Sequence, residues 1–347
     1  MIKMSIFILL ICFFTIGRSS DVEWFKRKKN HVVHNLNSKE VSAISQRVEE
    51  SADEFEKILD SILIPRVPDS QGNRKVQEYI TSFLRDLNWD VEVDSFTDST
   101  PLGKKKFANI IATLDPKAKR HLTFACHFDS KLNREYTFLG AVDSAVPCAM
   151  MLNMAKTLKD VFSKSPPDDA SDITLQFIFF DGEEAFVRWT DTDSLYGARH
   201  LAKTWEQKKY PENNEDGTSE LDRMDVLVLL DLLGGPTPTF YNYFTETEHL
   251  YDSLVSIETF LQSKKLLSNT KKYFVNLAMS AGIQDDHIPF YKRGVRTLHL
   301  IPLPFPTVWH QESDNKDNLD FSTIRNLNKI LWTFVVAYLH LPLDSIS

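Results

Sequence analysis

The stretch ITLQFIFFDGEEAF, Ile173 to Phe186, decides the fold and raises the functional question together. Its first half, Ile173 to Phe180, has almost no polar interruption. That is the composition of a strand buried on both faces, and such strands belong to largely parallel sheets covered by helices. Directly behind it stand Asp181, Glu183 and Glu184, three carboxylates inside four residues. Like charges this close raise one another's pKa, and an adjoining apolar strand deepens the desolvation cost. Either the acids splay into water on a loop, or a cation neutralises them.

The pattern extends outward on both sides. Residues 225–233 (DVLVLLDLL) are another near-continuous apolar run. Further strands are expected at 91–96, 107–114, 121–126 and 296–301. Apolar residues at helical spacing predict helices over 46–63, 74–87, 147–162, 194–208, 247–265 and 322–340. Alternation of this kind predicts a single α/β domain over 45–341, built on a central mixed, mostly parallel, twisted six-stranded sheet flanked by helices on both faces. The first two strands, joined by TDSTPLGKK, read as an antiparallel pair at one edge. The polar stretch 210–220 reads as a surface loop and not as a domain linker.

In open α/β sheets, ligands gather outside the carboxyl ends of the strands. His127 and Asp129 follow one expected strand end, and the acid cluster follows another. Asp231 lies near the end of a third strand, His310 lies beyond the last, and Asp143 opens the loop before a helix. A lone histidine is more often structural and a lone Asp after a strand is often a helix cap, but several separate segments here aim His and carboxylates at one sheet edge. Zinc takes four-coordinate sites of this chemistry and leaves a position open when catalytic, so His127, Asp143, Glu184, Asp231 and His310 are candidate ligands. The neighbours Glu183 and Glu184 suggest a division of labour, one on the metal and the other facing substrate as general base and acid. The blander reading makes Glu183 a solvated loop acid.

Bulk properties narrow the classes. The chain has 347 residues, is 42% hydrophobic and 25% charged, and carries a net charge of −8, with no basic stripe through its body. Nucleic acid is therefore not an expected partner. Lys3, the apolar run Ile6–Ile16 and the small residues Gly17, Ser19 and Ser20 have the layout of a secretory signal peptide over 1–20, cleaved near Ser20. The apolar run is shorter than the about 20 residues a membrane span needs, so a secreted chain with no stable membrane partner is expected. The segment 21–44, with KRKK at Lys26–Lys29, reads as a basic, solvated, mobile stretch, and 342–347 as a tail. Beyond Cys12 only Cys126 and Cys148 remain. An even pair in an exported chain reads as one disulfide, the other reading being two buried thiols.

The blocks HFDS, GAVDSAVPCAMM, FFDGEEAF, LLDLLG, IQDDHIPF and PFPTVWH, in that order, resemble the glutaminyl-peptide cyclotransferases (glutaminyl cyclases), a branch of the zinc-aminopeptidase superfamily. The resemblance covers about residues 45–341. It implies Asp143, Glu184 and His310 as ligands of one zinc ion, and Glu183 as proton shuttle. Asp231 and Asp285 would form an acidic hydrogen-bond network behind Glu183, with His299 and His127 close to the site. Trp189, Ile283, Gln284, Phe305 and Trp309 would wall the substrate pocket, and Cys126 and Cys148 match the family's disulfide. The implied reaction turns N-terminal Gln, and more slowly Glu, of peptides and proteins into pyroglutamate with loss of ammonia or water.

Two rival readings remain. A secreted zinc aminopeptidase would share the fold and the ligands; His127 and Asp231 match the second metal site of such relatives. A non-catalytic binding protein on the same fold would be expected to have lost ligands or the acid–base residue, yet Asp143, Glu183, Glu184 and His310 are all present.

Overall fold

The structure is a computed structural model that describes residues 23–164 and 172–343. Its helices are α1 (Ser38–Glu50), α2 (Ala52–Ile62), α3 (Gln71–Asp86), α4 (Val146–Thr157), α5 (Lys159–Phe162), α6 (Tyr196–Gln207), α7 (Glu248–Ser263), α8 (His287–Tyr291) and α9 (Phe321–Tyr338). Its strands are β1 (Asp90–Thr100), β2 (Gly103–Thr113), β3 (Arg120–His127), β4 (Ile173–Phe180), β5 (Met224–Leu230), β6 (Phe240–Asn242), β7 (Phe274–Ala278) and β8 (Thr297–Leu300).

Strand β4 is buried along its whole length. Because side chains alternate across a strand, Leu175, Phe177 and Phe179 enter one core while Ile178 and Phe180 enter a second. Helices α6 and α8 close the second core through Leu201, Trp205 and Phe290. The remaining helices close the first and larger core. The near-continuous apolar run is thus a strand with helices on both faces.

The main sheet has six strands in the order β1-β2-β4-β3-β5-β8. The pairs β1–β2 and β2–β4 are antiparallel, while β4–β3, β3–β5 and β5–β8 are parallel. All six expected strands are present and form this sheet, with ends shifted by a few residues. After β3 the chain steps to β4 on one side, then returns to β5 on the other. The sheet's switch point therefore lies between the carboxyl ends of β3 and β5, where a ligand crevice opens.

Several details depart from expectation. The helix expected over 46–63 is two helices that meet at Ser51, whose Oγ donates to Val48 O at 3.0 Å. A side-chain bond of this kind competes with the helical ladder. The first of these helices also starts earlier, at an Asn37–Glu40 capping box, so the domain begins upstream of residue 45. The helix expected over 147–162 breaks at Leu158. The small parallel pair β6–β7 and the five-residue α8 were not anticipated.

The basic segment is structured, and of its basic residues Lys28 is drawn in while Lys26, Arg27 and Lys29 stay exposed. Trp24–Asn30 forms a 3₁₀ helix laid against the sheet. Lys28 Nζ donates to Asp222 O and Met224 O at 3.2 and 3.3 Å, and Arg27 pairs with Asp172 at 3.0 Å. Carbonyls at a strand start thus take up the charge of Lys28, which the sequence suggested was in water. The signal-peptide residues 1–20 lie outside the described residues, as does most of the 342–347 tail. Among the described residues, no helix is long and apolar enough to cross a membrane.

Candidate active site

Four strand ends build the site. His127 closes β3, Glu183 and Glu184 follow β4, Asp231 follows β5, and His299 sits in β8. Asp143 is delivered by the turn that feeds α4, and His310 by the loop between β8 and α9 with a positive φ of 55°.

The three acids behind β4 separate at once. Asp181 turns away from the site: its carboxylate accepts from Asn73 Nδ2 at 2.8 Å and Ala108 N at 2.9 Å, tying the strand end to α3 and β2. Glu183 and Glu184 go the other way, their backbone N–H groups held by the two oxygens of Asp129 at 3.1 and 3.3 Å. Gly182, between Asp181 and the pair, has φ +73°, a left-handed conformation that suits glycine. Asp129 stands at a strand end in the sequence, but only the folded chain makes it the residue that aims the pair.

Asp143, Glu184 and His310 offer ligand atoms that all lie within 4.8 Å of one another. His310 Nε2 is 3.3 Å from Asp143 Oδ2 and 3.2 Å from Glu184 Oε1. Those two oxygens are buried and have no hydrogen-bond partner. Buried polar atoms are nearly always satisfied, so two orphaned carboxylate oxygens converging on an imidazole nitrogen fit a divalent cation. Burial acts to lower the pKa of His310, but Asp143 and Glu184 outweigh it and push it up to about 9. The cluster calls for positive charge. The other Glu184 oxygen is fixed by Lys131 Nζ at 2.9 Å, a contact that nothing in the sequence signalled.

A second group, His127, Asp143 and Asp231, also lies within ligand distance. Its atoms, however, have protein partners. His127 Nε2 is hydrogen-bonded to Asp143 Oδ1 at 3.0 Å. Asp231 Oδ1 accepts from Ser144 Oγ and from Leu232 N, the latter at 2.8 Å. Burial works against protonation of His127, yet Asp129, Asp143 and Asp231 together hold its pKa well above the ordinary value.

Behind Glu183 lies an acidic network. Burial is the main cause that raises the Glu183 pKa well above the usual carboxylate range, with Glu184, Asp285 and Asp286 adding to it against the pull of His127. Burial and then Asp285 push Asp231 up to about 6. Asp285 is hydrogen-bonded to His299 Nε2 at 2.6 Å, which holds its pKa below the usual value despite burial. Asp286, next to it, is fully buried with both carboxylate oxygens unpartnered, and was not anticipated.

A cavity of about 490 Å³ opens in front of this cluster. Asp143, Glu183, Glu184, Asp231 and His310 face it, and all five expected wall residues line it: Trp189, Ile283, Gln284, Phe305 and Trp309. Trp309 stacks on the His310 ring at 4.2 Å and meets Phe305 edge-on at 4.9 Å. Trp189 Nε1 donates to Gln284 Oε1 at 2.8 Å. His127, His299 and Asp285 do not line the cavity and stand behind it. Leu232, Ala281, Ile301 and Leu303 complete the wall; small and apolar residues in loops carry no signal of their own in a sequence.

The two cysteines are neighbours, but the expected bond between them is not formed here. Cys126 and Cys148 are both buried and both free. Instead of a disulfide, the Cys148 thiol donates to His127 O at 3.2 Å. Burial and the neighbouring Cys148 thiol raise the Cys126 pKa well above its usual value, which disfavours the reactive thiolate.

Comparison with known proteins agrees with this fold. Residues 109–335 match the model of peptidase family M28. A glutaminyl-peptide cyclotransferase of Bos taurus is 47% identical over 336 residues, covering 93% of this chain and 92% of that protein. One of Drosophila melanogaster is 48% identical over 293 residues, covering 81% and 79%. The crystal structure of Macrostomum lignano glutaminyl cyclase superposes with a TM-score of 0.82 at 37% identity, covering 90% of this chain and 96% of that one.

Proposed function

The chain belongs to peptidase family M28 and to the glutaminyl-peptide cyclotransferases, which are acyltransferases, and on that premise we propose that it converts N-terminal glutamine of peptides and proteins to pyroglutamate. N-terminal glutamate would follow more slowly, with loss of water. The observation that carries the reading is the convergence of two orphaned carboxylate oxygens and His310 Nε2 at the floor of an aromatic-walled cavity, with a second buried carboxylate, Glu183, beside them.

Asp143, Glu184 and His310 would hold one zinc ion. When bound, it supplies Lewis-acid polarisation of the γ-carbonyl oxygen of the substrate. Glu183 takes a proton from the substrate's α-ammonium, freeing the amine to attack its own γ-carbonyl carbon. The C–N bond to the α-nitrogen forms and the bond to the amide nitrogen breaks as Glu183 hands its proton to that nitrogen, which leaves as ammonia. The second proton that the α-nitrogen sheds on becoming the lactam N–H passes through Glu183 to the ammonia, which departs as ammonium. Asp231 and Asp285 hold the site's hydrogen-bond network, with His299 fixing Asp285 and His127 bridging Asp143 and Asp231. Trp189, Ile283, Gln284, Phe305 and Trp309 enclose the substrate side chain and keep out water, the competing nucleophile.

The aminopeptidase reading would use a second metal at His127, Asp143 and Asp231. The internal hydrogen bonds of that group, against the orphaned oxygens of the first, favour one ion. A glutaminyl arylamide separates the two activities. Cyclisation releases ammonia first, whereas direct release of the arylamine from the unprocessed residue would overturn the cyclase reading. The signal-like layout of residues 1–20 supports entry into the secretory pathway, with the cysteines able to pair there.

A further inference from the structure

Beyond the substrate pocket, the wall made by Gln284 has a second side. Gln284 lines the active-site cavity and also a neighbouring cleft of about 570 Å³. That cleft runs between α6 and the end of α8. Its charged lining is Arg199, Lys203, Lys292 and Arg293 against Asp98 and Asp191. A local excess of cations stands out on a chain whose net charge is −8.

The cations differ in kind. Arg199 is tied down: its Nε donates to Ser194 O at 3.0 Å, its guanidinium lies 4.9 Å from the centre of the Tyr196 ring, and Asp98 is 3.9 Å away. Arg293 donates to Pro289 O at 2.9 Å and pairs with Glu206 at 3.0 Å. His200, also in the lining, pairs with Asp94 at 3.2 Å and stacks on Phe96. Lys203 and Lys292 are exposed and, among the described residues, have no ion pair or side-chain hydrogen bond. Two free ammonium groups on a cleft that shares a wall residue with the substrate pocket have charge to give to whatever follows the first residue of a bound peptide.

We propose that this cleft receives the chain downstream of the N-terminal glutamine, and that Lys203 and Lys292 select peptides carrying Asp or Glu there. The inference rests on the cyclisation reading above, which supplies the bound N-terminus. An extended chain advances about 3.3 Å per residue, so a carboxylate a few residues along can leave the pocket past Gln284 and reach the cleft. Exposed pairs of this kind are worth up to about 1 kcal/mol each, which corresponds to a few-fold in kcat/KM, and complementary charge also steers encounter.

The test uses the full enzyme and three peptides of equal length that start with Gln and differ only at positions three to five: all Ala, all Glu or all Lys. Glutamine amide, too short to reach the cleft, normalises each variant for folding and for the intact site. The Glu peptide should exceed the Ala peptide in kcat/KM by about 3-fold or more at low ionic strength, and the Lys peptide should fall below it. The preference should shrink as salt rises. Lys203→Glu combined with Lys292→Glu should reverse the order. An absent preference in the wild type, or one that survives the double substitution, overturns the inference and leaves cyclisation standing. No turnover of glutamine amide or of any Gln-peptide by the wild type overturns the cyclisation reading, and this inference with it.

Discussion

Glu183→Gln separates the two adjacent glutamates most cleanly. The substitution keeps the side-chain volume and removes one negative charge from a position 6% exposed. Around it, Glu184, Asp285 and Asp286 all raise the cost of that charge. Folding should therefore be unharmed, with a melting temperature equal to or above that of the wild type. Metal binding should also persist, because Glu183 is not among the converging ligand atoms. Proton transfer by a positioned side chain contributes about 10²–10⁴ in rate, or ~3–5 kcal/mol of barrier. Ammonia release from a Gln-peptide should fall by that factor in kcat. Glu184→Gln should behave differently. It withdraws a ligand charge and leaves Lys131, 2.9 Å away, without its counter-ion, so activity should be lost together with the metal. The assay is ammonia release alongside zinc content after dialysis, run on both variants. Near-wild-type kcat in Glu183→Gln, or loss of zinc from it, would refute the assignment of separate roles to the neighbours.

Other consequences are as direct. Asp285→Asn weakens the 2.6 Å bond to His299; charge-assisted bonds are worth about 1.5–3 kcal/mol, so kcat should drop roughly 10- to 100-fold with zinc content unchanged. Trp189→Phe keeps a ring but removes the bond to Gln284 Oε1, and KM for a Gln-peptide should rise by roughly 5-fold with kcat largely kept. Stability should also respond to acid through His31. Burial lowers its pKa from 6.5 to about 4, against the bond to Tyr338 O. The unfolded chain therefore binds the proton first, and stability is lost as pH falls from 6.5 to about 4. The loss is at most about 3 kcal/mol, because the ring is only partly buried. Melting temperatures across that window should fall less steeply for His31→Phe than for the wild type; parallel curves would remove His31 as the cause.

The fold was legible because its strongest signals are local. A strand buried on both faces has to be apolar throughout, and the β4 and β5 runs could not hide in amphipathic alternation. The candidate ligands were legible for a related reason: polar residues placed at strand ends are conspicuous against such runs, and the order of the strands then brings them together. What stayed hidden depends on partners distant in the chain. Lys28 reads as solvated until the carbonyls of Asp222 and Met224 come to meet it. Lys131 and Asp286 are ordinary loop residues until the site closes around them. Ser51 divides one amphipathic stretch into two helices, although the apolar spacing runs straight through it. The cysteines were read by number and compartment, and the structure holds them as thiols, one donating to the carbonyl of His127.

On the reading proposed above, a single zinc ion at Asp143, Glu184 and His310 serves cyclisation of N-terminal glutamine. Mass spectrometry of a Gln-initiated peptide tests it most directly, with enzyme that is untreated, stripped by a chelator, and re-supplied with zinc in steps. The peptide should lose one ammonia, the stripped enzyme should leave it intact, and activity should return in full at one equivalent of zinc per chain. Release of the free first residue, turnover by the stripped enzyme, or recovery only at two equivalents would contradict it.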